Sequence, residues 1–184
     1  MHETRSFLKT LLDHTQLNIT LQRLAHQLIE NHLNFENTAI IGIQPRGVLL
    51  SDRIAQLVQQ ITKQKYIDYG KLDITFYRDD IHQGNDIHVP KRTDIEFSIE
   101  GRDVVLIDDV LHTGRTIRSA MDALIDFGRP RSVELLVLID RRFSRELPIQ
   151  PDYIGHSIDT IITQKVKVYW SEQDARDEVV LFDK

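Results

Sequence analysis

The run Val104-Val105-Leu106-Ile107-Asp108-Asp109, continuing as Val110-Leu111-His112-Thr113-Gly114-Arg115-Thr116, constrains this chain more than any other stretch. Its apolar half, Val104 to Ile107, is mostly β-branched and reads as a strand buried on both faces, as in a parallel sheet. The two aspartates are expected to end that strand. After a short loop, Ile117, Ala120, Met121, Leu124 and Ile125 fall on one helical stripe, which predicts a helix over 117–127. The unit is therefore strand, acidic pair, small-residue loop, helix.

Such a unit implies a ligand. In an open parallel α/β sheet the binding crevice lies beyond the carboxyl ends of the strands. Free backbone N–H groups and the positive end of a helix dipole suit a phosphate there. Gly114 lets the backbone approach closely, and the hydroxyls of Thr113 and Thr116 add neutral donors. Two carboxylates beside a phosphate would repel it, so they should face sugar hydroxyls or a divalent metal. A phosphorylated sugar satisfies both halves. No G-K-[ST] follows the glycine, which sets the loop apart from Walker-type nucleotide loops.

An apolar strand, two acids, a few residues and then T-G-x-T resembles the phosphoribosyl pyrophosphate (PRPP) signature of type I phosphoribosyltransferases. In that family the acids hold the ribose hydroxyls and the loop holds the 5′-phosphate. The resemblance carries those roles to Asp108 and Asp109, and to the loop from Val110 through Leu111, His112, Thr113, Gly114 and Arg115 to Thr116.

Composition sets the outer bounds. The 184 residues fit a single domain over 1–184, large enough to bury about 70% of its unfolded surface. There is no cysteine, which removes disulfides, thiolate metal sites and cysteine nucleophiles from consideration. No window has the length and apolarity of a signal peptide or membrane span, so a cytoplasmic location is expected. A net charge of −5 argues against nucleic-acid binding over the whole surface, though not against a local basic patch.

Taken in order, residues 1–18 read as an amino-terminal arm. Thr20 is a candidate cap for a helix with the stripe Leu21, Leu24, Ala25, Leu28 and Ile29; alone, Arg23 and His26 read as its solvated face. Ala39 to Ile43 is a second buried strand, followed by Gln44-Pro45-Arg46-Gly47 and a helix with Leu50, Ile54, Leu57, Val58 and Ile61 inward. An arginine fork at such a turn suits pyrophosphate, with its paired anionic oxygens. The loop is similar to the pyrophosphate loop of the same enzymes, with Pro45 where a threonine is usual. Gly70 to Phe76 alternates as a half-buried strand. The polar stretch 78–93, before alternation resumes at Ile95 and Phe97, is expected to be a flexible flap. Gly128-Arg129-Pro130 stops the signature helix, Val133 to Ile139 is another buried strand, and Asp140 to Arg145 lies at its carboxyl end. Residues 147–155 read as an irregular connection, Val166 to Tyr169 and Val179 to Phe182 as closing strands, and Glu172 to Glu178 as a solvated loop. No internal repeat or second-domain boundary is evident.

Several segments are similar to one branch of the family, the bifunctional pyrimidine operon regulators and uracil phosphoribosyltransferases. They are Asp73 to Asp80, Val105 to Pro130, Asp140-Arg141, Arg145 to Ile149 and Asp152 to Gly155. With Arg46-Gly47 they run in the same order across roughly residues 20 to 182. The resemblance implies an α/β fold of type I phosphoribosyltransferase architecture: a mostly parallel twisted sheet flanked by helices, with a small hood and the flap. It implies formation of UMP and pyrophosphate from uracil and PRPP with Mg²⁺, which is expected to bind through PRPP and not in a protein cage. A homodimer or higher oligomer, and in many members binding to the mRNA leader of pyrimidine genes, are implied as well.

On that basis Arg78 is the candidate to close over the pyrophosphate, and Asp140 and Arg141 are candidates to border the uracil. Arg23, His26, Arg142 and Arg145 are candidates for the RNA surface. Arg142-Phe143-Ser144 departs from the glycine–histidine usual there, and His156 stands where a lysine is common, which weakens the phosphate contacts of that surface. Two readings thus stand: an enzyme that salvages uracil, with or without RNA binding, and a non-catalytic RNA-binding regulator that senses nucleotides. A phosphoribosyltransferase for another base is a third.

Overall fold

The apolar runs around Ile41 and Leu106 lie side by side at the centre of a five-stranded parallel sheet. They are strands β2 (Thr38–Ile43) and β4 (Asp103–Leu111), paired in parallel from Thr38↔Asp103 to Gly42↔Ile107. Buried on both faces, they carry the near-continuous hydrophobic character that a doubly covered strand requires. The structure, a computed structural model, describes residues 6–79, 90, 92–161 and 163–183. Residues 1–5 of the expected arm, and 80–89 and 91 of the expected flap, lie outside the described residues.

The sheet order is β3-β2-β4-β5-β6, with β3 at Asp68–Leu72, β5 at Ser132–Arg141 and β6 at Tyr153–Ile158. Helices α1 (His14–His32) and α2 (Gly47–Thr62) cover one face through Leu17, Leu24, Leu28, Leu50 and Ile54. Helix α3 (Arg115–Leu124) covers the other through Ile117, Ala120 and Leu124. From β2 the chain turns outward through α2 to β3; from β4 it turns the other way through α3 to β5. The connections therefore part between β2 and β4, which opens a crevice at the carboxyl ends of those two strands.

A second sheet, antiparallel in the order β1-β8-β7, is built from β1 (Ser6–Leu12), β7 (Gln164–Tyr169) and β8 (Glu178–Asp183). It stands over the carboxyl ends of the parallel strands. Arg46, at the end of β2, donates to Val168 O, and Arg141, at the end of β5, donates to Thr160 Oγ1 at 2.9 Å and Gln164 O at 2.9 Å. This sheet is the hood.

Several expectations are corrected. The arm is β1 and the start of α1. The cap of α1 is Asp13, whose Oδ1 accepts from Gln16 N at 2.8 Å while Gln16 Oε1 accepts from Asp13 N at 3.0 Å, a reciprocal box. Thr20 lies inside the helix and donates back to Gln16 O. The strand expected over Gly70–Phe76 ends at Leu72, and Thr75–Tyr77 is a 3-10 turn held by Asp73 Oδ1, which accepts from Thr75 N and Oγ1. Among the described residues Asp94 returns to it as an isolated bridge to Lys71. Within the connection expected to be irregular, Tyr153–Ile158 forms the edge strand β6 beside β5. In α3, Met121 and Ile125 are 47% and 73% exposed, because Ala123 and Ser119 take the inward positions. Among the described residues no helix is long and apolar enough to cross a membrane.

Candidate active site

The two aspartates do not end their strand. Pairing with β5 continues through Asp108↔Val137 and Val110↔Ile139 to Leu111↔Asp140, so both acids sit inside β4 near its carboxyl end. Alternation sends their side chains to opposite sides of the sheet. Asp108 lines a cavity of about 330 Å³ with Arg78, Thr113, Gly114, Thr116 and Glu146. Asp109 lines a second cavity of about 330 Å³ with Arg46 and the β7 residues Lys165 to Val168. Val110 borders both, so the strand is the partition between two halves of one site.

Electrostatics separates the acids. Burial, reinforced by the neighbouring Asp109 charge, pushes the Asp108 carboxyl well above the usual carboxylate range. Burial also raises Asp109, opposed by Arg46, whose Nε donates to Asp109 Oδ2 at 2.8 Å. The site thus holds two carboxyls whose ionisation burial opposes and the arginine side favours, and a cationic or electron-poor ligand group would favour it further.

The loop 112–114 meets α3 with Gly114 at φ +92°, a left-handed conformation that favours glycine. A side chain there would also press on Ile149. First-turn N–H groups of a helix have no intrahelical acceptors, so the cavity beside Asp108 ends in a ring of amide donors that suits an anion. The side chain of Arg115 turns outward to Glu146 (2.7 Å) and Asp79 (2.6 Å), leaving its backbone amide in the loop. His112 lends its carbonyl to Arg145 Nη1, and Leu111 is buried beneath.

On the other side of β4, Gly47 starts α2 directly against the acidic strand. A Cβ at this position would lie 2.4 Å from Ile107 O and 3.0 Å from Asp108 Cα. Only glycine brings the arginine turn this close to the acids. Arg46 then spans the crevice, with Asp109 at one end of its fork and Val168 O at the other.

The two candidates for bordering the base are both tied into the fold. Asp140 is buried and ion-paired with Arg145. Arg141 is buried and committed to Thr160 and Gln164, so it braces the start of β7. Arg145 likewise is 17% exposed, pairs with Asp140 and donates to His112 O in the loop before α3. Arg23, His26 and Arg142 are exposed; Arg23 donates to Ile154 O and Gly155 O on β6, and Arg142 pairs with Asp159. Glu146 and β6 carry no local sequence signal, since each depends on contacts made across the fold.

Two hard carboxylate groups, with Asp109 already shared with Arg46, supply a divalent cation with too few ligands for a protein cage. Among the described residues no group of three or more His, Asp or Glu side chains converges on a metal position. The donor set fits a magnesium ion that takes most of its oxygens from substrate and water.

Comparison with known proteins agrees with this geometry. The family model described as "Phosphoribosyl transferase domain" matches residues 8–173. A "Bifunctional protein PyrR" of Elusimicrobium minutum is 44% identical over 176 residues, covering 96% of this chain and 97% of its own. Proteins of the same name from Bacillus subtilis and Desulfosudis oleivorans are 43% and 47% identical, each over more than nine-tenths of both chains. Solved structures share the fold. A hypoxanthine phosphoribosyltransferase of Staphylococcus aureus superposes with a TM-score of 0.70 at 20% identity over 95% of this chain and 92% of that one. The HGPRT-ase of Leishmania tarentolae in complex with GMP gives 0.71 at 14% over 97% and 98%.

Proposed function

The chain belongs to the phosphoribosyl transferase family, and from that premise we propose that it transfers the phosphoribosyl group of PRPP to uracil, forming UMP and pyrophosphate. The observation that carries this reading is the pair Asp108–Asp109, set between an amide-lined anion cradle and the Arg46 fork.

Bond making to uracil and bond breaking to pyrophosphate both occur at the anomeric carbon, so positive charge builds on the ribose while negative charge builds on the leaving group. Asp108 and Asp109 hold the ribose hydroxyls and favour the cationic ring, and their buried setting strengthens that effect. The loop Thr113–Thr116 anchors the 5′-phosphate and keeps the sugar in line. Arg46 and the Gly47 amide receive the pyrophosphate, with Arg78 reaching in from the stem of the flap. Magnesium, held by Asp108 and Asp109 through substrate and water, supplies further neutralisation of the phosphates when bound.

Base recognition belongs to the free edge of β7. Gln164 O and Val168 O both point away from β8, towards Arg141 and Arg46. In an antiparallel edge strand, N–H and C=O of one residue point the same way and the direction alternates along the chain. Val166, midway, therefore turns both groups into the cavity beside Asp109. One donor next to one acceptor matches the N3–H and a flanking carbonyl of uracil. Asp140 and Arg141 act behind this edge, holding the phosphate loop and β7.

The test is UMP formation from uracil and PRPP with and without magnesium, beside Asp109→Asn. Magnesium-dependent turnover that collapses in the variant supports the enzyme. Absence of turnover with intact UMP binding would favour the nucleotide-sensing regulator instead.

We propose a regulatory RNA role on the exposed edge made by Arg23, His26 and Arg142, supported by the word "bifunctional" in the names of the relatives. Its target is the leader of pyrimidine-gene mRNA. Binding of that RNA should weaken with salt, and Arg23→Ala should lessen the salt slope. Self-association is favoured by Phe76, Ile125 and Met121, large apolar groups left in solvent on the α3 side of the molecule. Light scattering of the purified protein tests that a homodimer or higher oligomer forms.

A further inference from the structure

Arg53, which no part of the chemistry above uses, ties the hood to the pyrophosphate loop. It lies on α2, two turns beyond Arg46 and Gly47, and its side chain is 15% exposed. Its guanidinium meets the connection between β7 and β8 at four points. Nε donates to Glu172 Oε1 at 2.9 Å, and Nη2 donates to Ser171 Oγ at 2.9 Å, Glu172 Oε2 at 2.7 Å and Asp177 Oδ1 at 2.6 Å. The planar group also stacks 4.7 Å from the ring of Trp170, which is fully buried. Asp177 in turn accepts from Ser171 N at 2.9 Å and faces His14 of α1 at 3.5 Å, so the turn is closed on itself as well as on the helix. The stretch Glu172–Glu178, expected to be a solvated loop, is here a docking piece.

The placement has a consequence for substrate. Arg46 contacts Val168 at the end of β7, and Arg53, about 10 Å further along the same helix, contacts the residues that follow. The first half of α2 thus runs beside the end of β7 as a rigid strut. On the proposed reading its amino terminus presents the pyrophosphate turn, and Arg53 in its second turn grips Trp170, Ser171, Glu172 and Asp177, the residues that follow the strand whose edge faces the base cavity. Helix and strand each resist deformation, so the distance between pyrophosphate and base subsites is set where the two are joined.

We infer that Arg53 is a positioning residue that fixes the base-reading edge of β7 over the ribose, and that its loss weakens uracil and UMP binding while leaving PRPP binding in place. This rests on the proposed reading of the site. The planar fork is what satisfies two carboxylates, a hydroxyl and an indole face together, so lysine should restore only part of the effect.

The experiment compares Arg53→Ala, Arg53→Lys and the milder Glu172→Gln with the parent enzyme, with KM measured for each substrate and equilibrium binding measured for UMP and PRPP. Arg53→Ala should raise KM for uracil about tenfold and weaken UMP binding similarly, with PRPP constants within about twofold. Glu172→Gln and Arg53→Lys should fall between. Equal movement of the uracil and PRPP constants, or a lowered melting temperature with both sets unchanged, would overturn the inference and leave Arg53 as a structural clamp. Should the parent turn over no uracil, the proposed activity fails, and the comparison of UMP with PRPP binding still decides the role of Arg53.

Discussion

Arg46 donates from Nε to Asp109 Oδ2 at 2.8 Å while its Nη2 holds Val168 O, so one side chain joins the acidic strand, the turn before α2 and the hood. A lysine offers a point charge and cannot serve both ends. Arg46→Lys should raise KM for PRPP about tenfold and disturb the hood edge, measurable as a parallel rise for uracil. Asp109→Asn keeps an amide oxygen that can accept from Arg46 but removes the carboxylate charge, and on the proposed reading should lower kcat by roughly 100-fold or more in the UMP-formation assay.

Asp108 is a stability cost kept for function. Its carboxyl is buried beside a like charge, which is why its pKa stands well above the usual range. Asp108→Asn should remove the cost of burying an ionisable carboxyl there, raising the melting temperature at pH 7 by a few degrees while activity is lost. A melting temperature that fell with the substitution would contradict this.

Gly47 is the tightest backbone approach in the site. Gly47→Ala would place a methyl group against Ile107 O and force α2 outward. The expected cost is about 1–3 kcal/mol in urea unfolding, with PRPP affinity falling further than uracil affinity.

Val166 offers a test of backbone reading. Its N–H faces the cavity and not β8, so proline is compatible with the sheet there, as on other edge strands. Val166→Pro should abolish uracil turnover yet leave PRPP binding and the melting temperature near the parent values. Retained uracil turnover would refute the assignment.

The opposite end of β4 governs acid stability. Asp103 accepts from Arg131 Nε at 2.8 Å and Ser132 Oγ at 2.6 Å, and the Arg131 guanidinium holds its carboxyl below the ordinary range. A depressed folded pKa contributes stability that is present above the unfolded pKa and is lost as pH falls through the folded one. Asp103→Asn should therefore lower the melting temperature at pH 7, and the difference from the parent should shrink below about pH 4.

The local sequence determined the elements that carry the site. Val104–Ile107 and Ala39–Ile43 read as doubly buried strands, and Thr113-Gly114-Arg115-Thr116 as a loop into a helix start, because period, β-branching and a small-residue turn are properties of neighbouring residues. Even there the end of β4 escapes the local pattern: Asp108 and Asp109 remain in the strand because β5 supplies hydrogen-bond partners that no local pattern reveals. What the tertiary structure alone decided is who faces whom. Arg141 and Arg145 look like open cations in a basic run, yet one braces β7 and the other locks onto Asp140 and His112. Glu172 and Asp177 look solvated, yet Arg53 gathers them from more than a hundred residues away. Long charged side chains reach whatever the fold brings within a few ångströms, and that depends on the order of the strands, which sequence periodicity does not encode.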